Sequence, residues 1–127
     1  MIVKTLDGDE YDWTIPDQKE RKRSKLHQTA KLILRAKYPN IVIYDEVPIQ
    51  VRKKQRLYLD LYCPTLLLAV EVNGQQHYTF NSHFHSSKAQ FLHAVSNDLA
   101  KVVWCELNDI ELITLKYNEL KEWDKQL

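Results

Sequence analysis

Two short apolar-rich runs open the chain, MIVKTL (1–6) and YDWTI (11–15), separated by DGDE (7–10), which contains the dipeptide Asp7-Gly8. The pattern predicts a β-hairpin with a type I′ turn at that dipeptide. Pro16 ends it, and residues 17–23 are polar and basic, an arm rather than an element. The period then changes. Leu26, Ala30, Ile33, Leu34 and Tyr38 recur at helical spacing behind Ser24, a good N-cap. They predict a helix from about Lys25 to Lys37, stopped by Pro39-Asn40.

Ile41 to Val51 is extended and β-branched, with Pro48 marking an edge or a bend. RKKQR (52–56) reads as a hairpin tip, and Leu57 to Tyr62 as an alternating strand. Pro64-Thr65 turns the chain into Leu66 to Val72, a continuous apolar run and hence a central strand. A polar, His-rich stretch follows Gly74. A second helix is predicted from Ser87 to Leu107, with Phe91, Ala94, Val95, Leu99, Val102 and Val103 on its inner face. Asn108-Asp109 ends it, Ile110 to Leu115 is a further strand, and Asn118 is placed to cap a short C-terminal helix ending in Trp123. Trp13, Trp104 and Trp123 are read as core. The order predicts an α/β fold, a mixed β-sheet flanked by helices with an N-terminal β-hairpin. Residues 1–23 form the hairpin and basic arm, and residues 24–127 the main domain of a single compact unit.

Composition narrows the classes. A chain of 127 residues, 44% apolar and 28% charged, is long enough to bury a core. Its longest apolar run, Leu66 to Val70, falls far short of the about 20 residues a membrane span needs. The N-terminus lacks a signal-peptide pattern, so the expected location is the cytoplasm, or the host cytoplasm for a viral source. Cys63 and Cys105 have no CxxC spacing and read as buried free thiols. With two glycines, neither a P-loop nor a GxGxxG loop is present. The net charge of +1 does not announce nucleic acid, but its distribution is uneven. Lys19, Arg21, Lys22, Arg23 and Lys25 crowd one stretch, and Arg52, Lys53, Lys54 and Arg56 another. Local basic patches of this kind can track a phosphate backbone, and these nine residues are the candidate DNA contacts.

Two acids interrupt apolar strands. Asp60 lies in LYLDLYC and Glu71 in LLLAVEVNG. The turn between the strands is short, so they are expected to pair antiparallel and bring the two acids to the same end of the sheet. Carboxylates that close repel, and both stay ionised only beside a cation. Oxygen ligands suit Mg²⁺ or Mn²⁺.

The spacing Asp-x10-Glu-x-Asn resembles the PD-(D/E)XK nuclease superfamily. More narrowly, it resembles the branch of very-short-patch-repair-like (Vsr-like) endonucleases, with their bacterial and phage homing-type relatives. That branch reads as a capped helix bearing a glutamate, then D-F-x-C, E-V-D-G-x-Q-H, a helical D-x-x-R and a closing strand. The matching segments here are Asp60-Leu61-Tyr62-Cys63-Pro64, Glu71-Val72-Asn73-Gly74-Gln75-Gln76-His77, Asp98-Leu99-Ala100-Lys101 and Ile110 to Leu115. The chain departs at three places. His27 stands at the helix glutamate. Asn73 replaces the second acid, and no lysine follows it. The loop between His77 and Asp98 is longer and carries His83 and His85.

The resemblance implies a restriction-endonuclease-like fold and metal-assisted hydrolysis of DNA phosphodiesters. Asp60, Glu71 and the Val72 carbonyl would hold Mg²⁺ (or Mn²⁺). His77 would act as general acid or base, with Gln76 and Asn73 orienting water or a phosphate oxygen. His27 would ligate metal or neutralise phosphate, and Lys88 or His77 would stand in for the lysine. Asp98 and Lys101, at helical i,i+3 spacing, otherwise read as a surface ion pair. A homodimer would let so small a domain cut two strands. A catalytically silent nucleic-acid-binding module, a protein-interaction domain and a zinc site drawn from His77, His83, His85, His93 and Cys63 are the competing readings.

Overall fold

A computed structural model describes residues 1–73 and 87–127. The N-terminal hairpin pairs β1 (Ile2–Lys4) with β2 (Glu10–Asp12), antiparallel. Its connection is a loop over residues 5–9 rather than the expected two-residue turn. Thr5 closes that loop: its N–H donates to the Asp9 carbonyl (2.8 Å), its hydroxyl donates to Asp7 Oδ1 (2.6 Å), and it accepts from the Asp9 N–H (3.0 Å). Gly8 takes the left-handed φ of 88° that the tip requires.

Helix α1 (Lys25–Lys37) has the predicted bounds, and Ser24 Oγ accepts from the His27 N–H (3.1 Å). The main sheet is four-stranded and mixed. It runs in the order β3 (Tyr44–Arg52), β4 (Gln55–Cys63), β5 (Leu68–Asn73) and β6 (Glu111–Lys116). The first three strands pair antiparallel, and β6 joins β5 in parallel after α2 (Lys88–Leu107). A connection of that length is what a parallel pair needs. The apolar β5 is internal, as its sequence predicts, with Leu68, Ala69 and Val70 buried.

Two cores form. α2 contributes Ala100, Trp104 and Cys105 to one, together with Trp13, Tyr62 and Ala69. There Trp13 lies 4.8 Å from Tyr62 and edge-on to Trp104 at 5.1 Å, ring centre to ring centre. α1 and the short α3 (Trp123–Gln126) contribute Ala30, Leu34 and Trp123 to the other, with Leu61, Val70 and Leu115. All three tryptophans are buried, as are the free thiols Cys63 and Cys105.

Two local expectations are corrected. Trp123 begins the last helix instead of ending it, after a 3₁₀ turn at Leu120–Glu122, and Asn118 caps nothing. The indole decides this, because its N–H donates to the Lys116 carbonyl (3.0 Å) and fixes Trp123 at the end of β6. The inner face of α2 is also rotated from the expected one. Leu99 is 63% exposed, while its neighbour Ala100 is buried. Apolar residues occupy more than one face of this helix, so periodicity alone does not select the buried stripe. Among the described residues no helix is long and apolar enough to cross a membrane.

Candidate active site

The antiparallel register of β4 on β5 pairs Leu61 with Val70, and one step on it brings Asp60 against Glu71. Here side chains take over from the backbone ladder. The Asp60 N–H donates to Glu71 Oε2 (2.8 Å), and the Val72 N–H donates to Asp60 Oδ2 (2.8 Å). Each carboxylate is thus held by an amide of the other's strand. Such bonds fix orientation without neutralising charge. A cation arrives from the middle of α2, where Lys101 Nζ lies 2.5 Å from Glu71 Oε1. Among the described residues Lys101 alone makes an ion pair with either acid.

The electrostatics follow from two carboxylates facing one lysine. Burial, then the charge of Asp60, pushes Glu71 up to about 7, against the pull of Lys101 and of the Asp60 amide. Burial acts to discharge Lys101, but Glu71, Asp60 and Asp98 outweigh it and raise the lysine above its ordinary value. Cys105 is pushed up to about 12 by burial and then by Glu71, so its thiol is unreactive. A cleft of about 360 Å³ opens beside these groups, lined by Asp60, Asp98 and Lys101 together with Arg21, Arg56 and Tyr58.

A second charged cluster joins α1 to β3. His27 Nε2 lies 2.8 Å from Asp45 Oδ1, and Lys31 Nζ lies 2.6 Å from Asp45 Oδ2. Burial raises Asp45, but the hydrogen bonds from His27 and Lys31 prevail and lower it below the usual carboxylate value. The basic arm is tied down at the same place. Gln18 spans the Asp45 backbone, accepting from its N–H (2.8 Å) and donating to its carbonyl (3.3 Å). Arg21 pairs with Glu46, and Arg23 Nε lies 3.6 Å from Glu46 Oε1. Glu46 has a left-handed φ of 48° inside β3, a conformation that costs on the order of 1–3 kcal/mol and persists where surrounding contacts hold it. A cleft of about 690 Å³ lies between arm and α1, lined by Lys19, Lys22, Arg23, His27 and Lys31. Arg21 lines both clefts.

Of the expected site residues, Asp60, Glu71 and Val72 come together, with the Val72 amide engaged on Asp60. Asn73 is buried at the end of β5, where its carbonyl accepts from the Tyr117 N–H (2.9 Å). His27 belongs to the Asp45 cluster, and its cleft is the one beneath the arm. Gln76 and His77, with His83 and His85, lie outside the described residues. Lys88 is the first residue of α2 and Lys25 the first of α1. Arg52, Lys53 and Lys54 sit at the β3–β4 tip, while Arg56 lines the Asp60 cleft.

Lys101 is the group that sequence reasoning misplaced. Its side chain is only 14% exposed, which rules out a surface ion pair. The signal for it was a lysine adjoining Ala100 and one turn before Trp104, on the stripe that the two residues bury.

Comparison with known proteins gives two viral relatives. Over 61 residues, 48% of this chain, the sequence is 43% identical to the uncharacterized protein 307L of Invertebrate iridescent virus 6. Over a stretch of the same length it is 39% identical to the uncharacterized protein 033L of Invertebrate iridescent virus 3. The matched stretch spans about a third (31%) of the length of these curated relatives. No family model and no solved structure matches the chain.

Proposed function

We propose that this chain is a divalent-metal-dependent DNA endonuclease with a restriction-endonuclease-like fold, hydrolysing phosphodiester bonds at Asp60 and Glu71. The observation that carries the reading is the cluster of Asp60, Glu71 and Lys101. Two carboxylates are clamped side by side, one is pushed toward protonation, and a charged lysine pairs with that one and feels the charge of the other. The donor set fits Mg²⁺ or Mn²⁺, since Mg²⁺ is commonly held by one or two carboxylates with substrate phosphate and water completing its shell. When bound, such an ion supplies Lewis-acid charge to a phosphoryl oxygen. The other roles fall to the chain itself. Lys101 donates a hydrogen bond to Glu71, and on this reading it stabilises negative charge gathering on a phosphate brought against the two acids. Arg21 and Arg56 line the cleft and neutralise flanking phosphates, and Arg21 leads the strand toward the basic cleft beneath the arm.

The test is incubation with plasmid, single-stranded, mismatched and branched DNA in Mg²⁺, Mn²⁺ or EDTA. Cleavage of at least one substrate that requires metal and is absent in Asp60→Asn is the expected result. Metal-independent cleavage, or full activity in Asp60→Asn, overturns it. The 2.5 Å Lys101–Glu71 ion pair favours one alternative, a silent nucleic-acid-binding module in which lysine takes the place of a metal. Salt-dependent DNA binding with no cleavage selects that alternative.

A further inference from the structure

We infer that Tyr58 is a stacking platform for an unpaired nucleobase beside the reacting phosphate. The substrate class is then nucleic acid with a base out of the helical stack, whether single-stranded, frayed or bulged, rather than an undisturbed duplex. The inference rests on the nuclease reading of the Asp60–Glu71 cleft for its reacting phosphate, but the stacking surface itself is read from other residues.

Tyr58 is 48% exposed although it lies within β4, between buried Leu59 and half-buried Leu57. It lines the same cleft as Asp60 and Lys101. It stands two residues before Asp60, about 7 Å along the strand, which places a stacked base next to a phosphate held at Asp60. Arg56 stands the same distance on the other side, and Arg21 approaches from the arm, so the ring is flanked by cations that hold a backbone. The support beneath it is firm. Tyr58 pairs directly with Pro48, whose ring stiffens the facing strand and whose carbonyl accepts from the Trp13 indole (2.9 Å). On the opposite wall Gln55 Nε2 donates to Asn97 Oδ1 (3.1 Å), tying α2 to the start of β4.

The chemistry then selects the substrate. Any base offers a π-face to an aromatic ring, so stacking is tolerant of sequence. Inside a duplex both faces of every base are covered by its neighbours, and a protein ring gains access only where a base has left the stack.

The experiment uses the full chain in an Asp60→Asn background, which cannot cut, with Tyr58, Tyr58→Phe or Tyr58→Ala. The probes are three DNA oligonucleotides carrying 2-aminopurine: a single strand, a duplex with the 2-aminopurine bulged, and the fully paired duplex. With Tyr58 or Phe, the single strand and bulge bind more tightly than the paired duplex, with quenched 2-aminopurine fluorescence. Tyr58→Ala loses the quenching and weakens binding to those two probes by roughly tenfold, the scale of removing one base–aromatic stack, while the paired duplex is unaffected. Equal quenching in Tyr58→Ala, preference for the paired duplex, or no binding to any probe overturns the inference. Cleavage by the chain with native Asp60 is measured separately. Tyr58-dependent quenching without any cleavage removes the nuclease reading and supports stacking. Metal-dependent cleavage with Tyr58-independent binding does the reverse.

Discussion

The two acid–cation clusters stand at adjacent places on the sheet with opposite charge balance. At Asp45 one carboxylate meets His27 at 2.8 Å and Lys31 at 2.6 Å, and despite burial its proton affinity is lowered. At Asp60 and Glu71 two carboxylates lie beside one lysine, which pairs with Glu71 alone, and Glu71 is pushed up to about 7. The first cluster is satisfied by protein groups and fastens α1 and the basic arm to β3. The second is short of positive charge, the condition a bound divalent cation would correct. Proximity of acids and bases therefore does not by itself mark a reactive site. The deficit does.

The sharpest way to break this contrast is to remove one acid from the deficient cluster. Asp60→Asn keeps an oxygen to accept the Val72 N–H but removes a charge, so cleavage is expected to vanish while circular dichroism and thermal unfolding stay near wild type. Retained turnover would return Asp60 to the structural class of Asp45. Next in size is Lys101→Met, which leaves Glu71 buried without its partner. Breaking a buried pair in this way costs about 3–5 kcal/mol, read by urea unfolding near neutral pH. Adding Glu71→Gln to it should recover most of that loss, because no buried charge is left uncompensated.

Lys101 also shows where the sequence stopped speaking. The succession of elements, the bounds of α1 and the meeting of Asp60 with Glu71 were legible, because each rests on local signals: the Ser24 cap, the alternating LYLDLYC run and a short turn. The face of α2 was not, since its apolar residues spread around the helix and the buried stripe is chosen by the tertiary fit of Trp104 against Trp13. With the face misplaced, Lys101 looked superficial. His27 has a similar history. Its position in α1 was fixed by the cap, but its partner Asp45 lies 18 residues away on β3, a pairing that local pattern cannot supply.

A smaller effect separates the clusters by pH. Glu71 has a folded-state affinity above its ordinary 4.5, so the unfolded chain loses that proton first as pH rises. Stability should therefore fall between about pH 4.5 and 7 and level off above, and Glu71→Gln should flatten that interval. Asp45 works in the other direction. Its contribution is present above 3.8 and is lost as pH falls through its lowered folded value, a loss absent in Asp45→Asn. Urea midpoints across pH 2 to 8 on the two variants read both slopes, and matching slopes of the same sign would erase the distinction. Smallest is the gain from separating cleft cations from tip cations. Neutralising Arg21 or Arg56 should reduce the salt dependence of DNA binding by about 0.9 for each duplex phosphate left without its cation. Lys53→Ala, at the hairpin tip, should do so only if the bound strand extends beyond the cleft.

The most direct test of the charge deficit is a calorimetric titration of Mn²⁺ into the chain at pH 6.5 in buffers of different ionisation enthalpy. The account predicts one bound ion with net proton release, because the cation displaces the proton that Glu71 retains in part at that pH, and loss of both signals in Asp60→Asn. Binding that persists unchanged in Asp60→Asn, or no binding to the folded wild-type chain, would contradict it.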